Sequence, residues 1–372
     1  GDSPAAAGHV SLRASAPTSA AAASTSPPTA PPPPVAPPAV VASVPAPAPV
    51  RACSLPICMS FGPEAPRLFV AEHTDGAGHR MANIINGIAF AAYNRVNFGG
   101  IVAVPNSVTE QGHDFRRLVD RFFGSQDAAK QLFFHSERVK TRSAAYFALP
   151  RCPDFDAEFK KLKDLESSRP SLKDSASVYV PAVNGLSMQR YFSPEVLAAL
   201  RAPLAAHPLK FAAGRPAVAL HIRRGDLKRG DKRATDSGYY FRLVDRIREV
   251  LPDADIHAWS STKNIEAFRG KPLWGPEDFD GYRERGITVH LDDDDLLDPW
   301  VHLSRAHVFV MSMSSFSYVP AVLNPHCVIQ PGTYSSTVPS HWVNGFNEAR
   351  AAYAEQLKAC VRHGHGAAAG GA

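Results

Sequence analysis

From Ala217 to Gln330 short apolar runs alternate with longer stretches of helical spacing, and this alternation limits the possible folds more than any other feature. Ala217 to Ile222 is a β run. Tyr239 to Val250 has helical periodicity, with Phe241, Val244, Ile247 and Val250 near one face, and Pro252 ends it. Asp255 to Trp259 and Ile287 to Leu291 read as short strands, Leu296 to Ala306 as a helix and Val308 to Met311 as a strand. Ser314 to Leu323 reads as a helix, Cys327 to Gln330 as a last strand and residues 347–361 as an Ala-rich helix. Strands alternating with helices of about 10–15 residues predict βαβ units and a parallel sheet. A similar pattern begins upstream, with a strand from Leu68 to Ala71 and a glycine turn over 74–78. Helical spacing follows at Met81, Ile84, Ile85, Ile88, Ala89 and Ala92, then a strand from Ile101 to Val104 and a helix over 114–123. Residues 124–176 are charged with few clear periods and read as helix and loop. The expected class is α/β, with two Rossmann-type domains and a cleft between them. In such sheets ligands bind beyond the carboxyl ends of the strands.

The first 50 residues stand apart. They hold 13 Pro and 15 Ala, and only Asp2 and Arg13 are charged. A segment of this kind buries too little apolar surface to offset its chain entropy, so it is expected to be disordered. It also lacks the run of about 20 apolar residues that a membrane span needs. The rest, about 310 residues, suits two domains. The net charge of +5 fits an anionic ligand. No dense Lys/Arg block with interleaved aromatics points to nucleic acid. Cys53, Cys58, Cys152, Cys327 and Cys360 show no paired CxxC spacing, which argues against a zinc site and leaves the redox compartment open.

Four motifs fall where the strands are expected to end. The first is His221-Ile222-Arg223-Arg224-Gly225-Asp226, which leaves a buried strand directly. Arginine's planar fork suits phosphate oxygens; the alternative is an ion pair from arginine to Asp226. Gly225 is expected to permit a sharp exit turn. The second is Ser312-Met313-Ser314-Ser315-Phe316-Ser317, where a strand gives way to a helix. A helix N-terminus with small hydroxyls is an anion site, or a plain N-cap. The third is Gly76-Ala77-Gly78-His79-Arg80-Met81, whose glycines allow close approach of a ligand or simply form a tight turn. The fourth is the run Asp292 to Asp295. It reads as a helix-start acidic cluster, as a base or ribose reader, or as an Asp-x-Asp metal site.

In order and spacing, His221 to Asp226, Tyr239-Tyr240 and Ser314 to Ser317 resemble the GDP-fucose-dependent fucosyltransferases, and most nearly the α1,2-fucosyltransferase family. The likeness runs over about 217–330, and the Gly76 to Met81 turn resembles that family's first glycine turn. It implies a glycosyltransferase B (GT-B) fold. Residues 1–60 would be a flexible stem and 66–210 an acceptor-side domain; 211–345 would form a nucleotide-sugar domain and 346–372 a terminal helix with a flexible end. It implies inverting transfer of fucose from GDP-fucose to a hydroxyl of a glycan or glycoprotein, with no metal or other cofactor. Arg223, with Arg224 nearby, would bind the diphosphate, His221 would lie against the nucleotide, Ser314 and Ser315 would support the β-phosphate at the helix N-terminus, and Phe316 would belong to the donor site. An acid of the 292–295 run, Asp292 or Asp294, would read guanine, and Asp226, Gly76 and Gly78 would complete the donor site. Asp75 and His79, with Glu72 nearby, are the candidates to accept the acceptor's proton. A Golgi-type lumen is implied, with membrane attachment only through a segment outside these residues. Two departures, His79 in place of the family's Asn and Pro320 in the helix after the serines, mark a distant member. Proline there is expected to kink or shorten that helix. A metal-dependent transferase using another nucleotide sugar, and a catalytically silent nucleotide- or carbohydrate-binding protein of the same fold, are the alternatives.

Overall fold

The computed structural model describes residues 55, 60–62, 67–72, 76–103, 114–135, 145–148, 176–180, 190–263, 273–332, 339, 342–346 and 352–369. The tail expected over 1–60 lies outside them apart from Leu55 and Ser60, as do Asp75 and most of 136–189.

Two parallel sheets organise the chain. β1 (Arg67–Ala71), β2 (Asn97–Ala103), β3 (Phe133–His135), β4 (Ala145–Ala148) and β5 (Ala176–Val180) form the first, in the order β3-β2-β1-β5-β4 with every pairing parallel. The second holds β6 (Ala217–His221), β7 (Asp255–Ser260), β8 (Thr288–Leu291), β9 (Val308–Val310), β10 (Cys327–Gln330) and β11 (Trp342–Asn344). Its order is β8-β7-β6-β9-β10-β11, again parallel throughout. Counted from β6 this is 3-2-1-4-5-6, the Rossmann order, in which the direction of winding reverses between the first and fourth strands. The α/β class with two Rossmann-type sheets is therefore what the chain adopts.

The alternation along β6 shows why a parallel sheet forms. Val218, Leu220 and Ile222 pack on one face, with Tyr240, Val244 and Ile247 of helix α5 (Ser237–Val250). Ala219 faces the other side, among the core residues of helices α6 (Leu297–Arg305) and α7 (Ser315–Leu323). Both faces are covered, so both must be apolar.

Residues 124–176 differ from the expected helix and loop. They contain a short helix, α3 (Ala128–Leu132), and the strands β3 and β4. Strands of three or four residues are too short to show a period, and their pairing to β2 and β5 places them. Helix α4 (Pro194–Ala205) was also unanticipated, although its start carries a signal: the Ser193 hydroxyl accepts from Val196 N at 3.3 Å, and Pro194 opens the helix. The last helix, α8, runs over Tyr353–Ala369, later than the expected 347–361. Cys327 of β10 and Cys360 of α8 form a disulfide that ties this helix to the sheet.

Helix α1 (Ala77–Tyr93) of the first half packs on α7 of the second. Tyr318 Oη donates to Asn86 Oδ1 at 3.0 Å, a buried link between them. One hydrophobic core runs from Leu68, Ile84 and Phe90 through to Trp300, Phe309 and Val322. Helix α2 (Phe115–Phe122) adds a second bridge, with Phe122 edge-on to Trp300 at 5.8 Å.

Pro320 does not end α7, which continues to Leu323. Without an N–H, Pro320 leaves the Phe316 carbonyl free of its helical partner. Trp300 Nε1 of α6 donates to that carbonyl at 3.0 Å. An indole from the neighbouring helix thus replaces the missing hydrogen bond, and the helix remains short at nine residues. No described helix is long and apolar enough to cross a membrane.

Candidate functional site

A cavity of about 190 Å³ opens at the carboxyl ends of β6, β7 and β8, beside the start of α7. The switch point of a 3-2-1-4-5-6 sheet lies in the same place, between β6 and β9. Trp259, Leu296, Pro299 and Phe316 give it apolar walls; His221, Arg223, Ser314 and Asp293 are among its polar ones.

Arg223 reaches across the switch point. Its Nε donates to Asp226 Oδ1 at 3.0 Å and its Nη2 to Asp226 Oδ2 at 2.5 Å, while Nη1 donates to the Met313 carbonyl at 2.8 Å. The ion pair weighed as the alternative reading of this motif is therefore present. It does not exhaust the side chain: guanidinium carries five N–H donors, so one remains on each terminal nitrogen. The side chain is about one-fifth exposed. A fork held on one edge and open on the other is preorganised for an anion.

Arg224 also lines the cavity, beside Arg223. Its Nη2 donates to the Thr235 carbonyl at 2.9 Å and its guanidinium lies 4.6 Å over the Trp274 ring. These contacts hold the buried cation and fasten the loop between β6 and α5. Gly225 lies in the expected exit turn, closed by Leu227 N donating to the Arg224 carbonyl at 2.7 Å, and a Cβ there would lie 2.6 Å from the Lys263 carbonyl.

His221 is buried, and two hydroxyls converge on its Nδ1, Ser317 Oγ at 2.5 Å and Ser312 Oγ at 2.9 Å. Burial, and then the nearby Arg223 charge, push its pKa down to about 3. The imidazole is held in its neutral form, with Nδ1 hydrogen-bonded to both hydroxyls. Phe316 lies 5.1 Å from the ring. Ser314 caps α7, its Oγ accepting from Phe316 N at 3.2 Å. Ser315 is the first residue of the helix.

The first glycine turn meets the site from behind. Gly76 is the N-cap of α1 and Gly78 its second residue. A Cβ at Gly78 would fall inside the contact radius of Phe316 N and Cα. The missing side chain therefore admits the backbone of α7, not a ligand, which corrects the ligand-approach reading of that turn. None of Gly76, Gly78 and His79 lines the cavity. His79, the third residue of α1, is half-buried. Glu72 is buried and ion-paired to Arg80, and the Arg80 guanidinium lies 4.0 Å over Phe115.

The four consecutive aspartates separate. Asp292 has a left-handed backbone, φ 58°, which turns the chain sharply. Its carboxylate accepts from Ser261 Oγ at 2.7 Å, Thr262 N at 2.7 Å and Thr262 Oγ1 at 2.5 Å, clamping the end of β8 to the end of β7. Burial alone would raise its pKa, but these hydrogen bonds outweigh it and hold the carboxyl below its usual value. Asp294 is 97% exposed and pairs with Lys263 at 2.8 Å. Asp295 pairs with Arg121 of α2 at 2.5 Å. The carboxylates of these three are engaged with the end of β7, with Lys263 and with Arg121, three different partners. Among the described residues no group of three or more His, Cys, Asp and Glu side chains is placed to hold a metal ion.

Asp293 lines the cavity together with Asp292 and differs from it in its partners. Its buried Oδ2 has no hydrogen-bond partner among the described residues. Burial pushes its pKa up, with Asp298, Asp295 and Asp292 adding to the rise against the opposing Lys210. Nothing in a run of four identical residues distinguishes this one; the left-handed turn at Asp292 selects it.

Behind the cavity, Trp259 stacks on His290 at 4.7 Å and 14°. His290 Nε2 meets His257 Nδ1 at 2.9 Å, and His257 Nε2 meets Asp255 at 3.1 Å. Burial pushes His290 down to about 4, His326 to about 4, and His257 and His302 also downward. In the unfolded chain these imidazoles take up protons near pH 6.5. Folded-state values below the unfolded ones mean stability is full above about pH 6.5 and is lost as pH falls toward about 4. The melting temperature is accordingly expected to drop progressively between about pH 7 and pH 4.5. A flat profile over that range would contradict the burial of these rings.

No protein-family model matches the chain, and no curated protein matches it in sequence. Solved structures do. POFUT1 in complex with GDP is 12% identical, covering 71% of this chain and 95% of its own, with a TM-score of 0.36. POFUT1 in complex with GDP-fucose is 13% identical over 71% and 95%, with a TM-score of 0.36. The E. coli heptosyltransferase WaaC with ADP-2-deoxy-2-fluoro heptose is 12% identical over 80% and 99%, with a TM-score of 0.35. These are among the structures to which the chain is similar; its fold rests on the strand order described above.

Proposed function

We propose that this chain is an inverting glycosyltransferase that moves fucose from GDP-fucose to a hydroxyl of a glycan or glycoprotein. The observation that carries the reading is Arg223, anchored by Asp226 and the Met313 carbonyl at the switch point, with donors to spare beside the N-terminus of α7. Two Rossmann-type sheets, the arrangement of GT-B enzymes, and the resemblance of His221 to Asp226 and Ser314 to Ser317 to the GDP-fucose-dependent fucosyltransferases support it. The relation to the α1,2-fucosyltransferases is part of the proposal.

In this reading the diphosphate lies between Arg223 and the first N–H groups of α7, and the base enters the cavity toward Asp293. A carboxylate suits the two adjacent donors of guanine. The bond from the anomeric carbon to the β-phosphate oxygen breaks and GDP leaves with the electron pair. The acceptor oxygen bonds to the opposite face of the sugar and gives up its proton. Arg223 and the helix terminus stabilise the charge gathering on the diphosphate. His79 and Asp75 are proposed to receive the proton; Glu72 is held by Arg80. No metal or cofactor is assigned a role. The Cys327–Cys360 disulfide supports passage through an oxidising compartment such as the secretory lumen.

A thermal-shift panel tests the function. GDP and GDP-fucose are expected to raise the melting temperature more than UDP, CDP and their sugars, because a ligand of the folded state alone stabilises it. Transfer from GDP-fucose to glycan acceptors then separates an enzyme from a silent binder. Equal response to every nucleotide, or to none, would remove the GDP-fucose assignment.

A further inference from the structure

Helix α7 reaches the cavity with a gap in its hydrogen-bond ladder. Pro320 has no N–H for the Phe316 carbonyl four residues earlier, and a proline ring also crowds the carbonyl at that position. The donor comes from another helix: Trp300 Nε1 of α6 bonds this carbonyl at 3.0 Å. Trp300 is fully buried, with Phe122 of α2 edge-on at 5.8 Å and the Phe316 ring at 5.1 Å. The start of α6 is tied to α2 as well, since Asp295 pairs with Arg121 and accepts from Leu297 N at 3.1 Å. Phe316 carries this bond into the site. It lines the cavity, and its carbonyl shares one peptide unit with the Ser317 N–H. That unit is planar, so the indole that fixes the carbonyl also fixes the N–H, which donates to the Ser314 carbonyl at 3.0 Å and closes the first turn. The same turn holds the Ser314 cap and the Ser317 hydroxyl on His221.

We propose that Trp300 is a positioning residue for the donor site: its indole N–H holds the Phe316–Ser317 peptide, and with it the first turn of α7, in the orientation that receives the diphosphate. The role rests on the nucleotide-sugar reading of the cavity. Trp300 does not line the cavity and acts through Phe316, which does. Trp300 and Pro320 work as one device. A residue other than proline at 320 would supply the backbone N–H that a helix ordinarily uses, and the indole N–H would then be dispensable. With proline there, removing the indole N–H leaves the carbonyl without a donor. An acceptor left unmade costs more than an ordinary hydrogen bond contributes, so the turn must rotate to find another partner. Its N–H groups then fall out of line with Arg223, and preorganised donors act only when aligned.

Calorimetric GDP titration of the wild type, Trp300→Phe, Pro320→Ala and the double variant is the test. Trp300→Phe keeps a ring beside Phe122 and Phe316 and removes only the donor and part of the ring. It is expected to weaken GDP binding about tenfold, the factor that one hydrogen bond supplies. Pro320→Ala alone is expected to bind GDP within about twofold of the wild type. In the double variant the backbone N–H at position 320 serves the Phe316 carbonyl, and affinity is expected to return to within about threefold of the wild type. A loss caused by packing alone would not be rescued, because the indole is missing from both variants. Amide exchange of the ligand-free proteins gives a second readout. Exchange over 314–323 should quicken in Trp300→Phe more than over α5, which packs on the other face of the sheet, and should slow again in the double variant. Wild-type GDP affinity in a folded Trp300→Phe, or a double variant as weak as Trp300→Phe, overturns the role of Trp300 and leaves the donor site standing. Should Trp300→Phe unfold, a double variant that folds and binds GDP supports the role, and one that stays unfolded overturns it. Failure of the wild type to bind GDP removes the proposed function and this role together.

Discussion

Arg223→Lys is expected to lower turnover with GDP-fucose by about 100- to 1,000-fold, equivalent to about 3–4 kcal/mol of transition-state stabilisation. The reason is geometric. The wild-type fork keeps Nε and Nη2 on Asp226, keeps Nη1 on Met313 and still carries unused N–H donors. Lysine has three donors on one nitrogen and cannot hold Asp226 edge-on while bonding a phosphate. Loss of the anchor to Met313 also loosens the link between the end of β6 and the start of α7. The charge remains, so GDP should still bind, though more weakly, and the defect should fall mainly on kcat. Steady-state kinetics with GDP-fucose, beside GDP titration, gives both numbers. Near-normal turnover in the lysine variant would reduce the Arg223–Asp226 pair to a structural contact.

Gly78→Ala is expected to destabilise the whole body, although alanine is the better helix former. A methyl group at this position would occupy the space of Phe316 N and Cα, both backbone atoms that cannot swing aside. Helices α1 and α7 must then separate, and overpacking of this kind costs about 1–3 kcal/mol. A fall in melting temperature of roughly 2–5 °C is the corresponding readout for a body of this size. Because Phe316 also lines the cavity, GDP affinity should fall in the same variant. An unchanged melting temperature would mean that the two helices do not approach as closely as their backbones indicate.

Where the chain has long periodic segments, the fold was legible. The helix expected from Tyr239 to Val250 spans Ser237–Val250, and the strand expected from Cys327 to Gln330 has those bounds. The strands β3, β4 and β11 were not legible, whereas the equally short β9 and β10 were, because helical segments of clear spacing adjoin those two and mark them off. The way α7 accommodates Pro320 was not legible either. Proline removes a hydrogen bond locally, but the replacement comes from Trp300, sixteen residues away from the carbonyl it serves.

Local chemistry set which residue types stand at each strand end: a basic turn after β6, serines before α7 and acids after β8. Those assignments follow from what each backbone position tolerates, and they can be read one segment at a time. Which partner each member of a motif takes is a different kind of question, because neighbours in sequence compete for groups that lie far along the chain. Arg223 finds Met313 while Arg224 is held by Thr235 and Trp274; Asp292 is captured by Ser261 and Thr262 while Asp293 keeps a buried oxygen without a partner among the described residues. Long-range packing of β6, β7, β8 and α7 around one opening made those choices, and no spacing rule within a motif contains them.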